Sequence, residues 1–440
     1  MAASPFAFLA SASSSERRTL AASTLGWMLD GMDVTLYAMV IPAVEAEFHL
    51  SSGAAGMLAS TTLVASALGG VLFGLLADRA GRRTALMASV VVYSVFTAAC
   101  GLSRTVGELA VFRALLGLGV GGEWAAGASL VAETWRAEHR GKALGYMQSG
   151  FAAGYAMAAI LAAWVLPRWG WRGVFFAGLL PAALALWIRG GVDESPAWLE
   201  ARRRPASFSG GASGAGNGER RAHSSLPRRE RAKPAPRASA DADSRPSYAG
   251  LIVRTLLMNS AALFAWWGLF TWIPSYLALP VARGGRGLGL AASSRWILVM
   301  QAGMWLGYVS FGYASDRVGA RRTYIGFLLL AACAVPLYAQ AGSTGSLLLL
   351  GPVMAFVGTG HFTGFGVIAA ELFPTRFRAS AMGLTYNFGR ALSAAAPWAI
   401  GVLAVRWGFA SAFWMSAAAF LAAALIAWGL PKSRMQDLAP

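Results

Sequence analysis

Six ionisable side chains stand in stretches that offer them almost no polar company. Asp30 and Asp33 lie in LGWMLDGMDVTLY, Arg113 and Glu123 in RALLGLGVGGEW, His361 in GTGHFTG, and Arg390 in LTYNFGRALS. An ionised group in such surroundings is costly, and each needs a chemical reason to be there. Asp30 and Asp33 fall one turn apart on one helical face. A carboxyl in a low dielectric favours its protonated form, so it can bind and release a proton near neutral pH. Glu123 qualifies by the same argument, and His361 because an unperturbed imidazole titrates near neutrality. Arg390 has no acid in its own segment, and a guanidinium fork is suited to holding a carboxylate bidentately. Asn387 lies one turn before it, with Tyr386 adjacent. Arg113 is a second such cation, for an anion or as structural partner to an acid. The plain alternatives are an acid pair bonded to backbone and a histidine satisfied by packing.

The elements that must position these groups are set by composition. The chain has 440 residues, 56% hydrophobic and only 13% charged. Such a chain cannot cover itself with polar groups, so the bilayer must be its solvent. Its net charge of +17 does not imply nucleic acid, because the charges punctuate apolar segments instead of forming a stripe. Twelve apolar segments can be drawn, at roughly 20–43, 53–77, 85–103, 108–132, 143–166, 172–190, 251–279, 291–315, 323–341, 346–371, 379–403 and 409–430. Only helices suit these lengths, since lipid-exposed backbone must satisfy its own hydrogen bonds. Of 37 Lys and Arg, seven fall in the odd-numbered loops and two, Arg113 and Arg390, inside spans; the rest lie on the other side. That bias places both termini in the cytoplasm. Gln148 and Tyr155 on the fifth span, and Trp266, Trp267 and Trp272 on the seventh, are candidate pocket walls. Cys100 and Cys333 fall in different spans and imply no disulfide framework.

The chain repeats itself. GLLADRAGRR, from Gly74 to Arg83, returns as GYASDRVGARR from Gly312 to Arg322. One offset of 238 residues carries Asp78 onto Asp316, Arg79 onto Arg317, Gly81 onto Gly319 and Arg83 onto Arg321. It also carries Glu133 onto Glu371, Arg140 onto Arg378, and Arg168-Trp169-Gly170 onto Arg406-Trp407-Gly408. The chain therefore reads as two copies of one six-span unit, with a site between them. Boundaries follow: a tail at 1–19, a bundle at 20–190, a linker at 191–250, a second bundle at 251–430 and a tail at 431–440. The linker is rich in Gly, Ser, Pro and Arg and too poor in apolar residues to order itself.

The GxxxDRxGRR loop between the second and third spans resembles the signature of the major facilitator superfamily. The resemblance covers nearly the whole chain except the tails and linker. It implies an all-α membrane protein of twelve helices in two pseudo-symmetric bundles. LDGMD, GGEW, the RxxxGxG run from Arg113 and YNFGR resemble the aromatic-acid:proton and sialate/lactate:proton symporters of that superfamily. That implies proton coupling through Asp30, Asp33, Glu123 and His361. It implies substrate binding by Arg390, Asn387, Tyr386, Arg113, Gln148, Tyr155 and Trp267.

By the same resemblance, Gly74, Asp78, Arg79, Gly81, Arg82, Arg83, Glu133 and Arg140 form a cytoplasmic gate with Asp316, Arg317, Arg321, Glu371 and Arg378. Ala320 replaces the counterpart of Arg82, which weakens the second copy. The expected cargo is a small organic anion taken up with protons, in a monomer of the inner membrane. No cofactor, metal or nucleic acid is expected. Rival readings are a proton-antiport exporter and a ligand-binding sensor that moves nothing. An enzyme is not expected, for no catalytic triad, metal cluster or nucleotide loop is present.

Overall fold

The computed structural model describes residues 7–136, 139–179, 183, 187, 191, 193–194, 199, 248–373 and 378–431. Nearly all of the 191–250 stretch, the 432–440 tail, and the side chains of Arg140, Asp316 and Arg378 lie outside the described residues. Among the described residues every regular element is helical. After a one-turn helix (Ala7–Ala10) come α1 (Ser14–Phe48), α2 (Ser52–Ala80), α3 (Arg82–Cys100), α4 (Val106–Thr134) and α5 (Arg140–Phe176). The second set is α6 (Tyr248–Ala278), α7 (Gly289–Val318), α8 (Ala320–Ala339), α9 (Thr344–Leu372), α10 (Arg378–Ser393) and α11 (Ala395–Trp428). Nine described helical stretches are long and apolar enough to cross a membrane.

Local chemistry sets these boundaries. Ser13 and Glu16 close a capping box at the start of α1, the Glu16 N–H donating to Ser13 Oγ at 3.2 Å and the Ser13 N–H to Glu16 Oε2 at 2.7 Å. Thr105 caps α4 and Ser343 caps α9, each accepting an N–H three residues on. These caps are 238 residues apart, and the offset recurs in the backbone. Gly81 and Gly319 turn the chain with φ of 101° and 93°, and Gly170 and Gly408 kink α5 and α11 with φ of 65° and 77°. Only glycine takes such angles at little cost.

Two of the expected spans are drawn differently by proline and glycine. The segment at 379–403 is broken at Ala394, between α10 and α11, because Pro397 has no N–H to give the Ser393 carbonyl. The segment beginning at 172 runs on from α5 across the Gly170 kink.

Packing is close where glycines face backbone. A Cβ on Gly69, Gly117 or Gly121 would lie 2.0, 2.4 or 1.9 Å from a carbonyl oxygen of the facing helix, so α2 and α4 touch backbone to backbone. Outward, the surface is greasy: Leu349, Leu425 and Trp407 are among many exposed large apolar side chains. In water that coat would aggregate; in lipid it is the expected exterior.

The two halves meet through close-packed glycines. Away from the basic loops, Gly56 of α2 packs on the Pro397 carbonyl and Gly401 of α11 on the Ser52 carbonyl. Towards the basic loops, Gly74 of α2 and Gly383 of α10 have open space where a Cβ would go.

Candidate functional site

Asp30 and Asp33 of α1 are fully buried and within electrostatic reach of one another, but they turn to different partners. Asp30 lies within electrostatic reach of Arg390 on α10, in the other half of the chain, and neither of its oxygens has a hydrogen-bond partner among the described residues. Asp33 is turned into its own half, towards Thr97 of α3 and Gly178, where a Cβ would lie 3.4 Å from Asp33 Oδ1. A spacing of three residues rotates one side chain about 60° from the other, enough to send them to different partners.

Glu123 descends from α4 onto α1, where Gly26 makes room for it: a Cβ there would be 2.2 Å from Glu123 Oε1. The Glu123 carboxyl is fully buried, has no hydrogen-bond partner among the described residues and lies within electrostatic reach of Asp30. Tyr93 of α3 faces Glu123, Asp33 and Asp30 together. Sequence reasoning passed over this tyrosine, since nothing in its apolar surroundings marks it. His361 is placed apart from the acids, its ring packed on Phe362 at 4.4 Å and Phe420 at 5.9 Å.

A narrow cavity opens near this cluster. Its walls come from both halves: Val34 to Ala38 of α1, Thr62 of α2, Arg113 of α4 and Tyr155 of α5 against Trp266, Trp267 and Phe270 of α6. Arg390 stands behind one wall, its guanidinium carbon 6.0 Å from the Trp267 ring centre. Tyr386 is buried within reach of both Arg390 and Asp30. Asn387 is half-buried, donates to the Gly383 carbonyl at 3.0 Å and packs on Gly70 of α2. Gln148 is buried with its Oε1 unpartnered, while Trp272 donates to the Pro397 carbonyl at 2.8 Å and does not line the cavity.

Tyr155 has a second duty. Pro274 in α6 has no N–H for the carbonyl of Phe270, four residues before it. The Tyr155 hydroxyl donates to that carbonyl at 2.8 Å, tying α5 to α6 across the halves.

At the basic loop the described ion pairs stay within one half. Arg82 meets Asp78 at 3.1 Å and Glu133 at 3.3 Å. Glu194, which sequence reasoning did not single out, accepts the N–H groups of Arg82 at 2.8 Å and Arg83 at 3.2 Å. A carboxylate there answers the bare amides and positive end of α3, which Gly81 cannot cap. In the second copy Arg321 donates to the Leu430 carbonyl instead. Arg79 and Arg317 are exposed, and Glu371 is half-buried at the end of α9.

Long apolar helices, an exposed greasy coat and buried acids and arginines around an interior cavity define a multi-pass membrane protein. The chain belongs to the Major Facilitator Superfamily, whose sequence profile matches residues 23–306 and 285–438. Membership makes it a transporter and not an enzyme. It is 31% identical to a protein of Cupriavidus pinatubonensis described as a probable 4-methylmuconolactone transporter, over 92% of this chain and 88% of that one. It is 29% identical to the cis,cis-muconate transport protein of Acinetobacter baylyi, over 94% of each. The fold is shared with the E. coli xylose transporter XylE in a partially occluded inward-open conformation, with TM-score 0.72, 18% identity and coverage of 96% of this chain and 99% of that one.

Proposed function

We propose that the protein imports a small organic anion together with protons by alternating access. It does so as a monomer of twelve spans in two six-helix bundles, at 20–190 and 251–430, joined by a basic linker. Both termini lie in the cytoplasm and the membrane is the inner one. One observation carries the reading: Asp30 of the first half and Arg390 of the second are buried within electrostatic reach of one another, near a cavity walled by both halves. With Asp30 ionised the two charges offset each other. Taking up a proton leaves Arg390 uncompensated, so a negative cargo is favoured only once the proton has arrived. Glu123 and Asp33 extend the proton site, and His361 is an additional titrating group. The Asp78–Arg82–Glu133 cluster and its second copy act as the cytoplasmic gate.

The carboxylate cargo named for the Acinetobacter relative supports the anion class. The test is uptake of radiolabelled cis,cis-muconate and 4-hydroxybenzoate into proteoliposomes, with protein-free liposomes as blank. Accumulation driven by an inward proton gradient supports the reading. Extrusion under the same gradient would make the protein an exporter, and binding without flux would make it a sensor.

A further inference from the structure

Two acids stand at the end of α1 away from the basic loops, and they find different company. Glu47 has its cation within its own half: Arg172 of α5 lies 2.7 Å from it, and the Trp171 indole N–H donates to it at 2.6 Å. Glu45 is turned inward, 9% exposed, and its Oε1 has no hydrogen-bond partner among the described residues. Ser52 at the start of α2 lies beside it, and the cation within its electrostatic reach is Arg283, which belongs to the other half. A carboxylate so placed depends on that cation, since a buried charge left alone is costly.

Each charge is carried firmly by its own half. The Glu45 carbonyl accepts the N–H groups of His49 and Leu50, which closes the turn into α2. Arg283 ends a single 3-10 turn (Val281–Arg283) in the loop between α6 and α7. That loop is tied down by the Arg286 N–H to the Tyr276 carbonyl at 2.8 Å, the Gly287 N–H to the Leu279 carbonyl at 2.8 Å and Arg286 Nη2 to the Ala339 carbonyl at 2.6 Å. Arg283 is also the counterpart of Glu45 at the 238-residue offset that relates the paired glycine turns. Between two copies related by a pseudo-twofold axis, a residue meets its own counterpart close to that axis. For parallel repeats the axis runs along the membrane normal, so the meeting point lies over the central cavity. Identical residues there would repel; this chain carries opposite charges.

We infer that Glu45 and Arg283 form an outer latch, a charge pair between the halves that holds the mouth away from the basic loops shut and must part for cargo to enter from outside. This rests on the alternating-access reading above. The latch sits beside the packed seam where Gly401 of α11 meets the Ser52 carbonyl, so rocking of the halves would separate both together.

The probe is Ala59→Cys in the cavity wall, in a Cys100→Ala/Cys333→Ala background, labelled by a membrane-impermeant maleimide in spheroplasts that present the outer face. Glu45→Gln keeps the size of the side chain and raises the labelling rate about fivefold, the worth of a charge pair with one exposed member. Arg283→Gln does the same, and it decides the matter if the Glu45 variant does not fold, since Arg283 is exposed. The double variant labels no faster than either single one, because each residue acts through the other. About 0.5 M salt outside speeds labelling of the parent and leaves Glu45→Gln unchanged. Unaltered labelling in the folded single variants, or effects that multiply in the double variant, would overturn the latch. Unaltered labelling beside proton-driven muconate uptake would sink this inference and leave symport standing; faster labelling in a protein without proton-driven uptake would do the reverse.

Discussion

At the scale of residues, the site turns on which charges have partners. Asp30 has Arg390 of the other half within electrostatic reach and Arg113 has no acid among the described residues acting on it, although both were visible as costly charges in apolar sequence. Asp30→Asn removes the exchangeable proton while keeping the shape. It is expected to abolish accumulation driven by a proton gradient yet retain counterflow between labelled and unlabelled anion, both measured in proteoliposomes. Gly26 is the second sensitive point. Gly26→Ala drives a methyl to within 2.2 Å of the Glu123 carboxylate, and the resulting overpacking should cost about 1–3 kcal/mol, read as a lower melting temperature. The identity of the buried charges was legible in the sequence because polar letters stand out in apolar runs. Their pairing was not, since helix rotation decides whether Asp30 and Asp33 share neighbours, and a one-dimensional period of 3.6 leaves that to packing.

At the scale of elements, two devices shape the cavity. Pro274 frees a carbonyl in α6 and Tyr155 of α5 occupies it, so a helix defect becomes a tie between halves. Tyr155→Phe leaves that buried carbonyl without a donor and is expected to cost about 1–3 kcal/mol, measured as a melting-temperature loss. The paired kinks at Gly170 and Gly408 are the other device. The repeat that contains them could be read directly from RWG recurring at one offset, but the positive φ could not, because glycine also occurs in these helices for close packing. Glu194 went unnoticed for a related reason: its partners are backbone amides, which carry no letter of their own.

At the scale of the whole molecule, the halves touch where Gly56 meets the Pro397 carbonyl, Gly401 the Ser52 carbonyl and Gly70 the Asn387 side chain. If the protein alternates between two states, joining Gly53 of α2 to Val402 of α11, where a Cβ on Gly53 would lie 3.8 Å from the Val402 Cα, should arrest the cycle. A Gly53→Cys/Val402→Cys pair is expected to cross-link, to stop uptake, and to recover on reduction; unimpeded uptake by the cross-linked protein would show that this end does not open. The membrane-length helices and the internal repeat were readable from hydropathy and the 238-residue offset, whereas the contacts between the halves belong to a conformation and have no sequence signature.

The most direct test of proton coupling through Asp30 is the proton count itself. Proteoliposomes carrying a lumenal pH dye receive cis,cis-muconate from outside, with no proton gradient imposed, and acidification is followed beside anion uptake. The account predicts that the unaltered protein acidifies the lumen in step with muconate entry and that Asp30→Asn does not acidify it. Muconate entering at an undiminished rate with no change in lumenal pH, or an Asp30→Asn variant acidifying as fast as its parent, would contradict it.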